Sequence, residues 1–508
     1  MNRLLLKTLG LSAALSLFAI ACGGPSTPLV NTIVPEPEAP EVAEAPAPTK
    51  QPPPESAEPR DIAFPAVERS QLRNGLNVQT VRWDALPIVY MRLVIDSGAA
   101  TDPDDRQGLA SLVASMLEEG TRSRSSAELA EEIDFLGASL WTRATDDTLT
   151  IGFRAVSDQL EEAMDLLADV TMNPAFADSE LAKLKRRETG RLRLQSSRPG
   201  FLGHRAFYGA LYGDHPYGRV DTTAEVLEAV TRRDLSGWHR SHIIPNNATL
   251  IVVGDVDAEQ VESVATRAFR RWRQGRLTET EYPAPPSREG RSVIIVDRPG
   301  SVQSSIMIGN LAVPREATDW ISLQVANQIL GGSAASRLFM DLREERSLTY
   351  GAYSRISELQ QVGPFRASAE VRTEVTGQAM SAFFEHLERI VSDAAPAEEL
   401  RNAQRFLSDS FPLQIDTPGK IAGLVAELTT YELAEDYWDS YRSQIGEVSP
   451  EQALQAAAAH IDPVNALIVI VGDASRIETE LQPYGPVQVV DSEGETLRTL
   501  PQQATSEE

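Results

Sequence analysis

Cysteine is almost missing from this chain: its 508 residues include one, Cys22. An intramolecular disulfide is excluded, so the fold rests on its core alone. Histidine is scarce too, six residues in all, and they form no convincing ligand cluster. Basic residues are outnumbered, 47 Lys and Arg against 73 Asp and Glu, for a formal charge of −26. That balance argues against nucleic acid as a partner, because phosphate neutralisation needs basic surface. It suits solubility and favours cationic ligands weakly. The apolar run at residues 9–21 is too short to cross a bilayer. No glycine-rich phosphate loop stands out, and Gly331-Gly332 reads as the turn that ends a helix. What is present is ordinary globular composition, 42% hydrophobic and 24% charged, in a chain long enough for roughly two to four domains.

The start of the chain reads as a leader. Arg3 and Lys7 precede the apolar run, which ends in Ala19-Ile20-Ala21-Cys22-Gly23. Small residues directly before the only cysteine resemble a bacterial lipobox, which makes residues 1–22 a lipoprotein signal peptide and Cys22 the lipidated residue. Gly23 after it resembles an outer-membrane sorting pattern, so the expected place is the cell envelope, lipid-anchored and facing the periplasm. Residues 23–65 are rich in Pro, Ala and Glu and read as an extended tether, on the order of 100 Å if fully stretched. Residues 488–508 read as a disordered tail.

Between these ends the sequence repeats an order of elements. "NNATLIVVGDVDAEQVESV" from Asn246 and "VNALIVIVGDASRIETEL" from Val464 are each a buried-type strand, a Gly-Asp turn and a helix start. The first half is expected to run strand (76–82), strand (88–97), helix (107–118), helix (127–136) and a strand pair (139–143, 148–156) before further helices. Ser125 with Glu128 is a capping-box signature for the second helix. The second half repeats it: strand 304–310, helices 320–330 and 336–345, strands 348–357 and 363–372, helices, a final strand. Strands and helices segregated in this way predict an α+β fold. It comprises two tandem homologous α/β-sandwich domains, 66–273 and 292–487, joined by a Pro- and charge-rich linker at 274–291.

Several stretches together resemble the insulinase/pitrilysin zinc-peptidase family, which includes the mitochondrial processing peptidases. They are "DSGAATDPDDRQGLASLVASMLEEGT", "SSAELAEEIDFLGASLWTRATDD", "HPYGR", "IPNNATLIVVGDVD" and "SRLFMDLREERSLTYGAYS". The resemblance implies a clamshell fold with a degenerate catalytic set. Active members carry His-x-x-Glu-His on the helix after the first strands, with a distal glutamate completing the zinc site. Carried over by position, the histidines fall on Ser111 and Ser115, the catalytic glutamate on Ala114, and the distal glutamate on Glu188. A serine hydroxyl does not compete as a zinc ligand, and alanine accepts no proton. This chain is therefore expected to bind no metal or cofactor itself and to have no catalytic residue of its own.

Other groups read as structural. His239 and His242 are expected to pack or face solvent. His215 in "HPYG" resembles a structural family motif. Glu118 lies one turn beyond Ser115, in reach of Glu188 or simply solvated. The resemblance also implies that Arg343 and Tyr350, in "LREERSLTY", bind substrate from the C-terminal half: a guanidinium and a phenol suit a peptide carbonyl. From local sequence alone, Arg343 would pair with Glu344 or Glu345 and Tyr350 would pack on a strand. The expected function is a membrane-tethered, non-catalytic subunit of a heteromeric zinc peptidase acting on unfolded peptides, with zinc in a related partner chain. The alternative is a non-enzymatic peptide-binding or assembly lipoprotein.

Overall fold

Two apolar runs organise the molecule, Ala248–Gly254 and Leu467–Gly472, each buried along its whole length. The computed structural model describes residues 62–277 and 280–503. The first sheet contains β1 (Glu68–Gln71), β2 (Asn77–Arg82), β3 (Ile88–Ile95), β4 (Ser139–Ala144), β5 (Leu149–Val156) and β6 (Ala248–Gly254). Their order is β1-β2-β6-β3-β5-β4. The second contains β7 (Ser292–Asp297), β8 (Gln303–Leu311), β9 (Thr349–Ile356), β10 (Pro364–Arg372), β11 (Leu467–Gly472), β12 (Val487–Val490) and β13 (Thr496–Leu500). Their order is β13-β12-β7-β11-β8-β10-β9. In both sheets a fully buried apolar strand inserts centrally, parallel to one neighbour and antiparallel to the other: β6 between β2 and β3, β11 between β7 and β8. The repeat read from the sequence is thus a repeat of topology, and the class is α+β with mixed sheets.

A central strand buried on both faces needs cover on both. Each half covers one face with its own helices and borrows the other cover. Leu250 and Val252 of β6 point into the core of the first half, whereas Ile251 and Val253 join a core with Ile421, Ala422 and Val425 of the helix Pro418–Thr430. Reciprocally, the helix Pro199–Tyr212 of the first half lays Leu202, Phe207 and Leu211 on Leu467, Val469 and Val471 of β11. Gly203 permits that approach, since a Cβ there would sit 3.2 Å from Val471 and 3.3 Å from Met307. Burial of each such side chain contributes roughly 1.5–3 kcal/mol, so the two halves are interlocked rather than hinged on a linker.

The structure departs from the sequence reading at both ends. Residues 488–500 are not a disordered tail: β12 pairs with β7 and turns through Asp491 into β13. Val487 and Val489 are buried, but β13 is a mostly exposed edge strand with no strong apolar alternation to announce it. Phe64, placed in the tether, is buried in the core of the second half. The leader, Cys22 and the tether through residue 61 lie outside the described residues. Among the described residues no helix is long and apolar enough to cross a membrane.

Candidate functional site

The helix Leu109–Leu117, α1, is set by its entry. Gly108 takes a left-handed turn (φ 86°). The buried Asp102 carboxylate accepts from Gly108 N and Ala110 N, both at 2.9 Å, closing the helix N-terminus. Seven of its nine residues are buried, which leaves Ser111 and Ser115 on the outward stripe. They line a chamber of about 1220 Å³ together with Glu188 of the helix Asp178–Gln195, α2. The structure therefore brings three of the four zinc-motif positions to one wall. Ala114 is buried, and its carbonyl receives the Thr142 hydroxyl at 2.6 Å.

The donor set does not fit zinc. The Ser115 hydroxyl is turned back onto the Ser111 carbonyl at 3.0 Å. Glu188 is held by Arg191, one turn along the same helix. Arg191 in turn grips Asp221 with both ends of its guanidinium, Nη1 and Nη2 each at 3.0 Å, and contacts Gln195. The hydrogen bonds to Asp221, with those to Glu188, raise the Arg191 pKa further above its already high value. The carboxylate that would have faced a metal already has a fixed cation. Glu118 does not meet Glu188: its Oε1 accepts from the Thr142 amide at 2.7 Å and lies 2.8 Å from the Thr142 hydroxyl, tying α1 to the edge strand β4. Among the described residues no group of three His, Cys, Asp or Glu is placed to hold a metal ion.

The three histidines singled out in the sequence make structural contacts. His239 Nε2 meets the Thr171 carbonyl at 2.7 Å, and His242 Nδ1 lies 2.9 Å from the Trp238 carbonyl; burial lowers both pKa values. His215 is buried and its Nδ1 accepts from Tyr217 N at 3.1 Å. That turn presents Tyr217, whose hydroxyl reaches Asp147 and also accepts from Gln361 N at 3.2 Å. Gln360 donates to Asp147 (3.0 Å) and Asp96 (2.7 Å), and Tyr212 donates to the Val362 carbonyl (2.7 Å). Tyr217 of the "HPYGR" stretch, with Tyr212, Asp96 and Asp147, thus latches residues 360–362 of the second half onto the first.

Arg343 and Tyr350 lie elsewhere. Arg343 sits where the short helix Arg337–Phe339 widens into a π-helical turn, Met340–Glu345, with Arg346 N bonding Asp341 O. Ser347 follows in a left-handed conformation (φ 52°). Arg343 pairs with Glu344 at 3.3 Å and covers the Phe339 ring at 4.8 Å, as local sequence suggested. Tyr350, on β9, is 91% exposed. Neither residue lines the chamber, and no hydrogen bond joins them.

Sequence reasoning missed Arg191 and Asp221; the signal for the first was an arginine three residues after a helical glutamate. It also missed Arg92, Trp141 and Arg143, which line the chamber from the sheet.

Comparison with known proteins agrees with this architecture. Two family models match in tandem, one described as insulinase (peptidase family M16) over residues 81–210 and one as peptidase M16 inactive domain over residues 229–407. This is a peptidase-type two-lobed fold, and the chain belongs to the insulinase family. An uncharacterised zinc protease of Rickettsia felis is 26% identical over 326 residues, covering 60% of this chain and 77% of that one. One from Bacillus subtilis is 23% identical over 354 residues, covering 69% and 85%. The crystal structure of a peptidase M16 inactive domain from Pseudomonas fluorescens aligns with a TM-score of 0.76 at 27% identity, over 80% of this chain and 98% of that one. A Helicobacter pylori protease, 18% identical with a TM-score of 0.72, shares the fold.

Proposed function

We propose that this chain is the non-catalytic subunit of a heteromeric insulinase-family metallopeptidase, with Arg343 and Tyr350 contacting substrate while a related chain supplies zinc and general base. The observation that carries the reading is a contrast within one chain. The zinc-motif wall is closed by its own hydrogen bonds and by Arg191, while Tyr350 stands almost fully exposed on the edge strand of the other half. Among the described residues the phenol has no hydrogen-bond partner, which leaves it available to a partner across an interface. The substrates are unfolded peptides, and the complex is held at the envelope, facing the periplasm, through a lipid on Cys22.

A second reading, a peptide-binding or assembly lipoprotein without proteolysis, draws on the local pairing of Arg343 with Glu344 and Phe339. The two separate on one pair of substitutions. Arg343→Ala with Tyr350→Phe, in the full-length chain mixed with a family chain bearing an intact His-x-x-Glu-His, is expected to lower kcat/KM by about 10- to 100-fold. Unchanged turnover by that mixture favours the second reading.

A further inference from the structure

The chain carries a large negative charge, yet two arginines of its chamber make no hydrogen bond or ion pair with any described residue. The chamber is lined by six carboxylates and four guanidinium groups. Glu188 and Asp221 are closed by Arg191. Asp147 accepts from Tyr217 and Gln360. Glu358 lies 4.0 Å from the buried Arg315. Burial pushes Asp146 up to about 7, with Asp147 adding to the effect, and Glu427 up to about 8. Arg219 is spent on the Asp102 carbonyl and the Asp104 carboxylate.

That leaves Arg92 and Arg143. Neither makes a hydrogen bond or ion pair with any described residue. They stand on one face of the first sheet: Arg92 on β3 is registered with Gly152 on β5, which is registered with Trp141 on β4, and Arg143 follows two positions along that face's neighbour row, opposite Thr150. The Trp141 ring lies across Gly152, occupying the place of any side chain there, with 2.1 Å between a Cβ at Gly152 and the ring. The Arg92 guanidinium sits 5.6 Å from the Trp141 ring centroid, and its buried Nε has no partner. An indole platform with one guanidinium over it and a second arginine two residues along the same strand face, neither closed by a hydrogen bond, matches a carboxylate on a short apolar stem, which would compete for Arg92 with the nearby Glu427 carboxyl.

We propose that the chamber receives an acidic segment of an unfolded peptide, with an Asp or Glu carboxylate bound by Arg92 and Arg143 and its methylene stem laid on Trp141. This rests on the reading of the chain as a peptide-receiving subunit and adds the class of peptide. The overall charge does not override it. Screening at physiological salt confines long-range repulsion to about 8 Å, so contact between the carboxylate and the two arginines decides affinity, while the net charge slows encounter at low salt.

The test is fluorescence anisotropy with the full-length chain in detergent and three labelled unstructured peptides. These are one rich in Asp and Glu, its Asn/Gln counterpart and its Lys counterpart. The acidic peptide is expected to bind at least tenfold more tightly than the amide one, and Arg92→Gln with Arg143→Gln to abolish the preference. Arg143→Gln alone, at an exposed position that does not threaten folding, is expected to reduce the preference at least threefold. Competition by millimolar inorganic phosphate against all peptides equally would show an anion site without peptide selectivity and overturn the proposal. So would equal binding of acidic and amide peptides, a preference for the lysine peptide, or a preference that survives the double substitution. In those cases peptide reception itself stands. Binding of none of the peptides overturns the proposal and the subunit reading together.

Discussion

Arg191 spans two carboxylates at once: both Nη atoms lie 3.0 Å from Asp221, and the same guanidinium holds Glu188. The residue that most resembles a surviving zinc ligand is therefore committed to an internal cation. Loss of the two histidines and the general base removes the chemistry, and Arg191 neutralises the charge that the absent metal would otherwise balance.

This arrangement predicts a specific order for rebuilding the site. Ser111→His, Ala114→Glu and Ser115→His together are expected to leave zinc well below one equivalent by elemental analysis, because Glu188 remains held. Adding Arg191→Ala frees that carboxylate and is expected to tighten zinc at least tenfold. Equal zinc affinity with and without Arg191 would show that the guanidinium does not guard the position.

The latch between the halves predicts a stability effect. Tyr217→Phe removes one buried hydroxyl that serves both Asp147 and Gln361 N. Leaving these partners unsatisfied costs about 1–3 kcal/mol. The measurement is the midpoint of chemical denaturation, expected to fall with the slope unchanged.

The pH dependence follows from Asp146. Burial, then Asp147, holds its folded pKa near 7, above the ordinary carboxylate value of 3.8. The folded state binds the proton more tightly, so this stabilising contribution is complete below about pH 4 and is lost as pH rises to 7. Asp146→Asn is expected to raise the melting temperature by a degree or two at pH 8 and to leave it nearly unchanged at pH 4. A uniform shift at both pH values would place the effect in packing instead.

Much of the fold is legible because its strongest signals are local. "LIVVG" and "LIVIVG" can only be buried strands, and Ser125 with Glu128 forms the capping box its spacing announced. The reciprocal cover of the sheets is not local. Nothing in residues 199–212 states that Phe207 packs on a strand some 260 residues away, because an apolar helix face carries no mark of its partner. β13 escaped notice because its pairing is made by backbone and its side chains stay exposed.

The site was legible as a loss and not as a replacement. Ser111, Ala114 and Ser115 announce by their chemistry that zinc ligands are gone. The partnership of Arg191 with Asp221 joins residues 30 apart and needs the fold to bring them together. Arg92, Trp141 and Arg143 read as ordinary strand residues until register aligns them across Gly152.

The most direct measurement is hydrolysis of a quenched unstructured peptide, with zinc quantified in the same preparations. It compares the full-length chain alone, a related chain with an intact zinc motif alone, and the two mixed. The account predicts neither zinc nor turnover from this chain by itself, and turnover by the mixture above that of the zinc-bearing chain alone. Stoichiometric zinc and peptide hydrolysis by this chain in isolation would contradict it.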